Sequence, residues 1–570
     1  MPKTQKIQLT PLGGVREFGK NMYIVEIDDT IFVLDAGLKY PENEMLGVDF
    51  VIPELTYLAE NADKIAGVFL THGHSDAIGA LPYLLDEVGD LPVFGSELTI
   101  ELAKINTQNY EPTKKFADFH VVTEKTEIDF GVTTISFFPT THTIPESLGV
   151  VLSTTSGNIV YTGDFRFDPA VSEGYKTDMA RLAEIGKSGV LALISSSANA
   201  LSSEQSASES AIANKIYDTI DDWEGRVIIA CNSGNIGRVQ QVIDSALALG
   251  RRIAFTGYDM NAIVDTAVRL KKLRIDDKHM IISPKEIDKY PDNELVIVET
   301  GRMGEPLEAV MKMASKHHHN VKIKEGDLVY SVTSPSVAFE TRVARTMDAV
   351  YRAGGVMVTL AKDLRVSGHA NVRDLQFFLD LMRPKNLIPV QGEYRELKAH
   401  ADLAMEIGML PEHIYLAKLG ETIALKDGNI LPEGKVPAEN VMIDGSGVGD
   451  IGSVVLRDRK VLSEDGIFIV AITISRSKKK IVSKAFVHTR GFVYLKKSRD
   501  LVKEASEKVN LAVQDYLSSH GKDFDWADIK GEIRDTLGKF LYEQTKRKPA
   551  ILPVVLEERT NQRATKNKKS

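Results

Sequence analysis

The segment Thr71-His72-Gly73-His74-Ser75-Asp76-Ala77-Ile78-Gly79-Ala80-Leu81-Pro82 carries the residue types best suited to chemistry. An apolar run, Gly67 to Leu70, leads into it like a buried strand, and a helical stretch, Leu81 to Val88, leaves it. His72, His74 and Asp76 therefore sit on a loop at a strand end, where α/β sheets place ligands and reactive groups. Two imidazoles and a carboxylate within five residues offer nitrogen and oxygen donors, the set a zinc-type ion takes. Ala77, next in line, offers no donor at all.

Later strand ends add further polar groups. His142 lies in Thr140-Thr141-His142-Thr143-Ile144-Pro145, and Asp164 in Tyr161-Thr162-Gly163-Asp164-Phe165. Each alone reads as readily as a loop or capping residue. Together with His72, His74 and Asp76, in this order, they form a metal set. Arg365-Val366-Ser367-Gly368-His369-Ala370 and Pro389-Val390-Gln391-Gly392-Glu393-Tyr394 also follow apolar runs. His317-His318-His319 reads as solvated surface, because no second ligand cluster lies near it in sequence.

The elements that must position these groups fall into three patterns. Residues 6–34 read as a β-meander with Asp28-Asp29 as a tight turn, and strands are expected at 119–123, 132–138, 149–154 and 158–162. Gly13-Gly14 reads as a turn or a phosphate cradle. From about 205 to 365, helical and apolar β runs alternate, the pattern of a βαβ domain with a parallel sheet. Asn429–Asp450, rich in Gly, Pro and Asp, reads as a linker. Beyond it, Val454–Leu462, Gly466–Ile474 and Lys480–Phe486 read as strands. Leu501–Leu517 and Trp526–Leu541 read as amphipathic helices whose faces suit domain packing or a subunit interface. The basic tail reads as a solubilising extension.

Composition bounds the class. At 570 residues the chain is too long for one core. The single cysteine, Cys231, excludes an internal disulfide and fits a reducing compartment. No charged-then-apolar leader and no apolar run of membrane-span length is present, so a cytoplasmic protein with no membrane partner is expected. The net charge of −9 does not announce a nucleic-acid binder, but binding depends on local basic patches rather than the total.

With these stretches in hand, the sequence resembles the ribonuclease J family, β-CASP members of the metallo-β-lactamase superfamily, and within it the degenerate-site branch found beside an active paralogue. His72-x-His74-x-Asp76 is similar to the superfamily motif H-x-H-x-D-H with its last His replaced by Ala77. Leu34–Leu38, Thr162–Phe165, Val366–His369, Gly392–Arg395, Ser463–Ile467 and Thr489–Tyr494 carry the likeness further. It implies an α/β chain: a metallo-β-lactamase αββα sandwich with an inserted β-CASP βαβ domain and a small α+β C-terminal domain. The corresponding limits are 1–204 and 366–428 for the sandwich, 205–365 for the insert, 429–450 for the linker, 451–555 for the C-terminal domain and 556–570 for the tail. The implied activity is RNA hydrolysis, as a 5′-to-3′ exonuclease and an endonuclease, in messenger turnover and ribosomal RNA maturation. Homodimers, or hetero-oligomers with an active paralogue, are the implied assemblies.

Carried over residue by residue, the resemblance is uneven. It puts a first ion on His72, His74 and His142, with Asp164 bridging. The second ion would take Asp76, position 77, Asp164 and a late His, but Ala77 and Gln391 stand at two of those places. A family carboxylate falls at Ser196 within Ser195-Ser196-Ser197-Ala198-Asn199. Catalysis is implied for His369, as acid/base, and Asp76. The 5′-phosphate pocket maps to Ser233, Gly234 and Asn235 with Arg365, Val366, Ser367, Gly368 and His369, where backbone N–H groups favour an anion. A structural cation maps to Gly47, Asp49 and Asp444, whose oxygens suit calcium. The expectation is one zinc, with manganese as the other ion the site can use, and weak or absent nuclease activity alone. The alternative is a low-rate 5′-to-3′ exoribonuclease using the first site.

Overall fold

The computed structural model describes residues 5–558 apart from 43–44, 169, 172–173, 204–206, 258–259, 302–305, 334–339, 362–363, 365–366, 427, 446, 494–497 and 521–523. Two compact units form, one from Met1–Tyr40 and Phe50–Val441, the other from Pro41–Asp49 and Met442–Ser570.

In the first unit the expected meander is present as Ile7–Pro11, Tyr23–Ile27 and Thr30–Leu34, antiparallel, with Val25 opposite both Leu9 and Phe32. Asp28, at φ 54°, makes the tight turn. Ile65–Phe69 then adds parallel to the third strand, followed by Val93–Gly95 and Phe119–Val121. A second sheet runs in the order Asn386–Val390, Val190–Ser196, Gly157–Tyr161, Leu148–Thr154, Thr134–Pro139, Glu127–Asp129. The two sheets share one core through Phe32, Phe69, Phe137, Val150, Tyr161 and Ile194. Helices Met179–Ser188, Val372–Met382 and Tyr394–Glu406 pack by Leu182, Phe378 and Leu403 against the second sheet's other face. This is the αββα sandwich.

The insert carries a sheet ordered Ile281–Ile282, Arg252–Thr256, Leu295–Glu299, Val227–Ala230, Leu328–Ser331, Val356–Thr359, all parallel. Val227–Ala230 and Leu295–Glu299 are buried throughout, as strands covered on both faces must be.

In the second unit, Lys480–Arg490, Ile467–Ser475 and Ala550–Glu557 form a three-stranded sheet. Helices Arg499–Ser519 and Trp526–Thr545 cover one face of it through Val509, Val513, Ile533 and Leu537. Their apolar faces are thus spent on this core, the domain-packing alternative.

Two sequence expectations fail. Ser453–Glu464 is a helix, not a strand at 454–462. Its β-branched start misled the reading, while the unbroken Arg457-Asp458-Arg459-Lys460 run has no strand alternation. The expected linker begins as strand Asn429–Lys435, paired antiparallel with Glu421–Lys426 at the edge of the first sheet. An edge strand tolerates Pro432, so the Pro and Gly content hid it.

Candidate metal centre

The strand Ile65–Phe69 delivers the 71–76 segment into the first unit's interior. Thr71 fixes the first imidazole. Its N–H donates to Asp35 Oδ1 at 2.7 Å and its hydroxyl to Asp35 Oδ2 at 2.9 Å. Tyr161 OH donates to Asp35 Oδ2 at 2.7 Å. With its proton spent on Asp35, Thr71 Oγ1 accepts from His72 Nδ1–H at 2.9 Å. In the neutral ring His72 Nε2 then carries the lone pair, and it is buried without a hydrogen-bond partner.

The other two imidazoles are fixed by carbonyls, which can only accept. His74 Nε2–H donates to Gly234 O at 3.1 Å, and His142 Nδ1–H to Gly368 O at 2.8 Å. Their remaining nitrogens face each other at 3.1 Å. In neutral rings these are two lone pairs with no proton between them, an arrangement a cation relieves. The three inward nitrogens lie within 4.8 Å of one another. This donor set fits a zinc-type ion, with outer partners fixing each tautomer as metal-binding imidazoles require.

A second group joins His72 to Asp76 and Asp164, whose oxygens lie 3.6 and 3.8 Å from Nε2. The outward oxygens are already taken. Asp76 Oδ2 accepts from Asn21 Nδ2 at 3.1 Å and Gln391 Nε2 at 3.4 Å. Asp164 Oδ1 accepts from His369 Nδ1–H at 3.1 Å and Ser196 Oγ at 3.2 Å. Gln391 sits at φ 55° with its N–H on Gly14 O, so the Gly13-Gly14 turn serves as an anchor for this residue. Ala77 is fully buried and presents only a methyl.

Burial works against charge on His72, yet the surrounding carboxylates of Asp76, Asp164 and Asp35 raise it to about 9, and the Nε2 proton they favour is the one a bound cation would replace. Burial and the His72 charge lower His74 to about 4. Burial raises Asp35 to about 7 against the opposing pull of His72 and Thr71. Burial would raise Asp164 too, but His369, His142 and His72 hold it well below the usual carboxylate range.

These groups open on a cavity of about 840 Å³ whose wall includes His74, Asp76, His142, Asp164 and His369. Ser233, Gly234, Asn235, Ser367 and Gly368 also line it. The N–H groups of Ser233, Gly234 and Asn235 are turned onto Thr300 Oγ1, Asn232 Oδ1 and Asn232 O, so the expected backbone cradle for an anion is not what these residues form. Asn232, which organises that turn, gave no signal in the sequence. Arg365 and Val366 lie outside the described residues. In the second unit, Asp49 Oδ2 accepts from Gly445 N–H at 2.9 Å, and Asp444 Oδ2 pairs with Arg459 Nη2 at 2.8 Å, while Gly47 lies against that guanidinium.

Sequence reasoning missed Asn21 and the Asp35–Tyr161 pair behind Thr71. Asp35 at a strand end was a usable signal; Asn21 had none.

Family models place the metallo-beta-lactamase superfamily on residues 15–200 and the ribonuclease J beta-CASP domain on 224–350. A Zn-dependent metallo-hydrolase RNA specificity domain covers 356–417, and the ribonuclease J C-terminal domain 454–558. Ribonuclease J 2 of Streptococcus pyogenes serotype M3 is 59% identical over 97% of this chain and 100% of that protein. The chain belongs to the ribonuclease J family. Ribonuclease J2 of Bacillus subtilis is 43% identical over 97% of this chain and 99% of that protein. A crystal structure described as a protein of unknown function from Enterococcus faecalis V583 shares the fold, with a TM-score of 0.53 at 16% identity over 74% of this chain and 100% of that one. The ribonuclease J family comprises RNA-processing nucleases that act as oligomers. The family and fold expected from the sequence therefore hold, and no helix among the described residues is long and apolar enough to cross a membrane.

Proposed function

We propose that this chain is an RNA-decay and ribosomal-RNA-maturation subunit with one working ion site and a degenerate second one. In this reading it hydrolyses RNA weakly or not at all alone and acts in the cytoplasm largely as the partner of an active paralogue. The observation that carries the reading is the pair of amides on Asp76 Oδ2, from Gln391 and Asn21, beside a methyl at Ala77.

His72, His74 and His142 would hold the ion, zinc or manganese, with Asp164 and Asp76 beside it. When bound, such an ion acidifies water and polarises a phosphoryl oxygen. The chain's own contribution is His369. Its Nδ1–H is fixed on Asp164, whose charge outweighs burial and favours the imidazolium, so the other ring N–H can give its proton to the leaving oxygen and return to the neutral ring. Two neutral amides on Asp76 place no second positive charge by that oxygen. A single missing transition-state stabiliser costs roughly 100- to 1,000-fold in rate. Residues 1–204 and 366–428 serve as the catalytic sandwich, 205–365 as the RNA-facing insert and 451–555 as the C-terminal module.

The test is cleavage of 5′-monophosphorylated RNA by the purified chain with zinc or manganese, beside a His72→Ala/His74→Ala variant, and again with an active relative added. The reading expects near-equal low rates alone and a stable complex with the relative. Clear turnover alone, lost in the double variant, would instead support a slow 5′-to-3′ exoribonuclease. The intact Asp164–His369 contact is what favours that second reading.

A further inference from the structure

The second unit's sheet has one face covered by helices. Phe468, Val470, Ile472 and Ile474 of the central strand enter that core, with Ala485 and Val487 of the neighbouring strand. Side chains alternate along a strand. Lys484, Phe486, His488 and Arg490 therefore share the other face. Phe486 and His488 stand opposite Ala471 and Ile469, and Leu552 and Val554 flank these from the third strand. Phe486 is 67% exposed, more than any other large apolar side chain among the described residues.

We infer that this open sheet face is a further RNA-binding surface, which stacks unpaired bases on Phe486 and holds the backbone with Lys484 and Arg490. Charge is what selects the occupant. From Ile467 to Arg490 the sequence has six Lys/Arg and no Asp/Glu, in a chain of net charge −9. Neither Lys484 nor Arg490 is spent on a carboxylate of the described residues, whereas Lys478 is drawn onto Glu558. A second copy laid face to face would bring the same acid-free surface and no counter-charge. A phosphate backbone supplies that charge, and bases supply the flat apolar partner an exposed ring wants. Aromatic rings on open sheets bind unpaired RNA in this way, with little regard for sequence.

The experiment is fluorescence anisotropy of a labelled oligouridine with the full chain in EDTA, so that nothing is cut. It compares wild type, Phe486→Ala, Phe486→Trp and Lys484→Gln/Arg490→Gln, with molar mass by light scattering and circular-dichroism melts run alongside. Phe486→Ala is expected to weaken binding about tenfold and Phe486→Trp to retain it, since each stacked base contributes roughly 1–3 kcal/mol. The double variant is expected to flatten the salt dependence by roughly 0.7 in slope for each cation removed. A 4-thiouridine crosslink should map to the strand Lys480–Arg490. Unchanged affinity in Phe486→Ala overturns the inference. If the molar mass also falls, the face is an interface between copies; if it does not, the face has neither role.

Discussion

The side-chain amide of Gln391 donates to Asp76 Oδ2 at 3.4 Å, and Asn21 reaches the same oxygen at 3.1 Å. That oxygen thus accepts from two neutral donors of the chain itself. On the proposed reading, these are the groups that stand where a second cation would be held.

This arrangement is reversible in principle. Ala77→His with Gln391→His is expected to raise bound zinc from about one to about two ions per chain by supplying two imidazole donors. Cleavage of 5′-monophosphorylated RNA should rise by at least about tenfold, and Gln391→His alone should do less because position 77 still lacks a donor. Elemental analysis beside a cleavage assay checks both.

Thr71 couples a buried carboxylate to a metal-facing imidazole. Thr71→Val removes the hydroxyl that serves both Asp35 and His72. An unsatisfied buried partner costs about 1–3 kcal/mol. Losing the group that orients a ligand weakens metal binding about 10- to 100-fold. Zinc competition titration should therefore show a loss that Thr71→Ser restores.

On the proposed reading, the opposed nitrogens of His74 and His142 would make a bound ion a stabiliser of this unit. Chelation is expected to lower the melting temperature, since ligand at a hundredfold excess over Kd contributes about 2.7 kcal/mol. His142→Ala should abolish most of that dependence. A chelator-insensitive wild type would contradict it.

Glu299, buried at the end of a central strand of the insert, gives a pH prediction. Burial raises its carboxyl to about 7, with the Thr256 hydrogen bond opposing. Burial, with His319 and Lys312, keeps nearby His318, 3.5 Å away, below its usual value. The folded form holds the proton more tightly than the unfolded one. Stability is therefore lost as pH rises from the ordinary carboxylate range through 7, and levels off above. Each tenfold difference in proton affinity between the folded and unfolded forms is worth about 1.4 kcal/mol, so Glu299→Gln should gain roughly 3 kcal/mol at pH 8 and little at pH 4. Melting curves across that range decide it.

Much of the fold was legible because its signals are local. The apolar runs of the insert are buried parallel strands, and the meander follows from alternation and one Asp-Asp turn. Helix Ser453–Glu464 was misread because its valines carry strand propensity, which a helix overrides in context. In the site, residue identity located the imidazoles and the gap at Ala77. What sequence could not supply was pairing over distance. Asn21 and Gln391 meet Asp76 across 55 and 315 residues. The carbonyls of Gly234 and Gly368 that set two tautomers leave no trace in residue type.

The most direct test is the zinc content of the purified full chain after loading and removal of excess ion, beside His72→Ala/His74→Ala. The account predicts about one ion per chain in the wild type and close to none in the variant. Two tightly held ions in the wild type would contradict it.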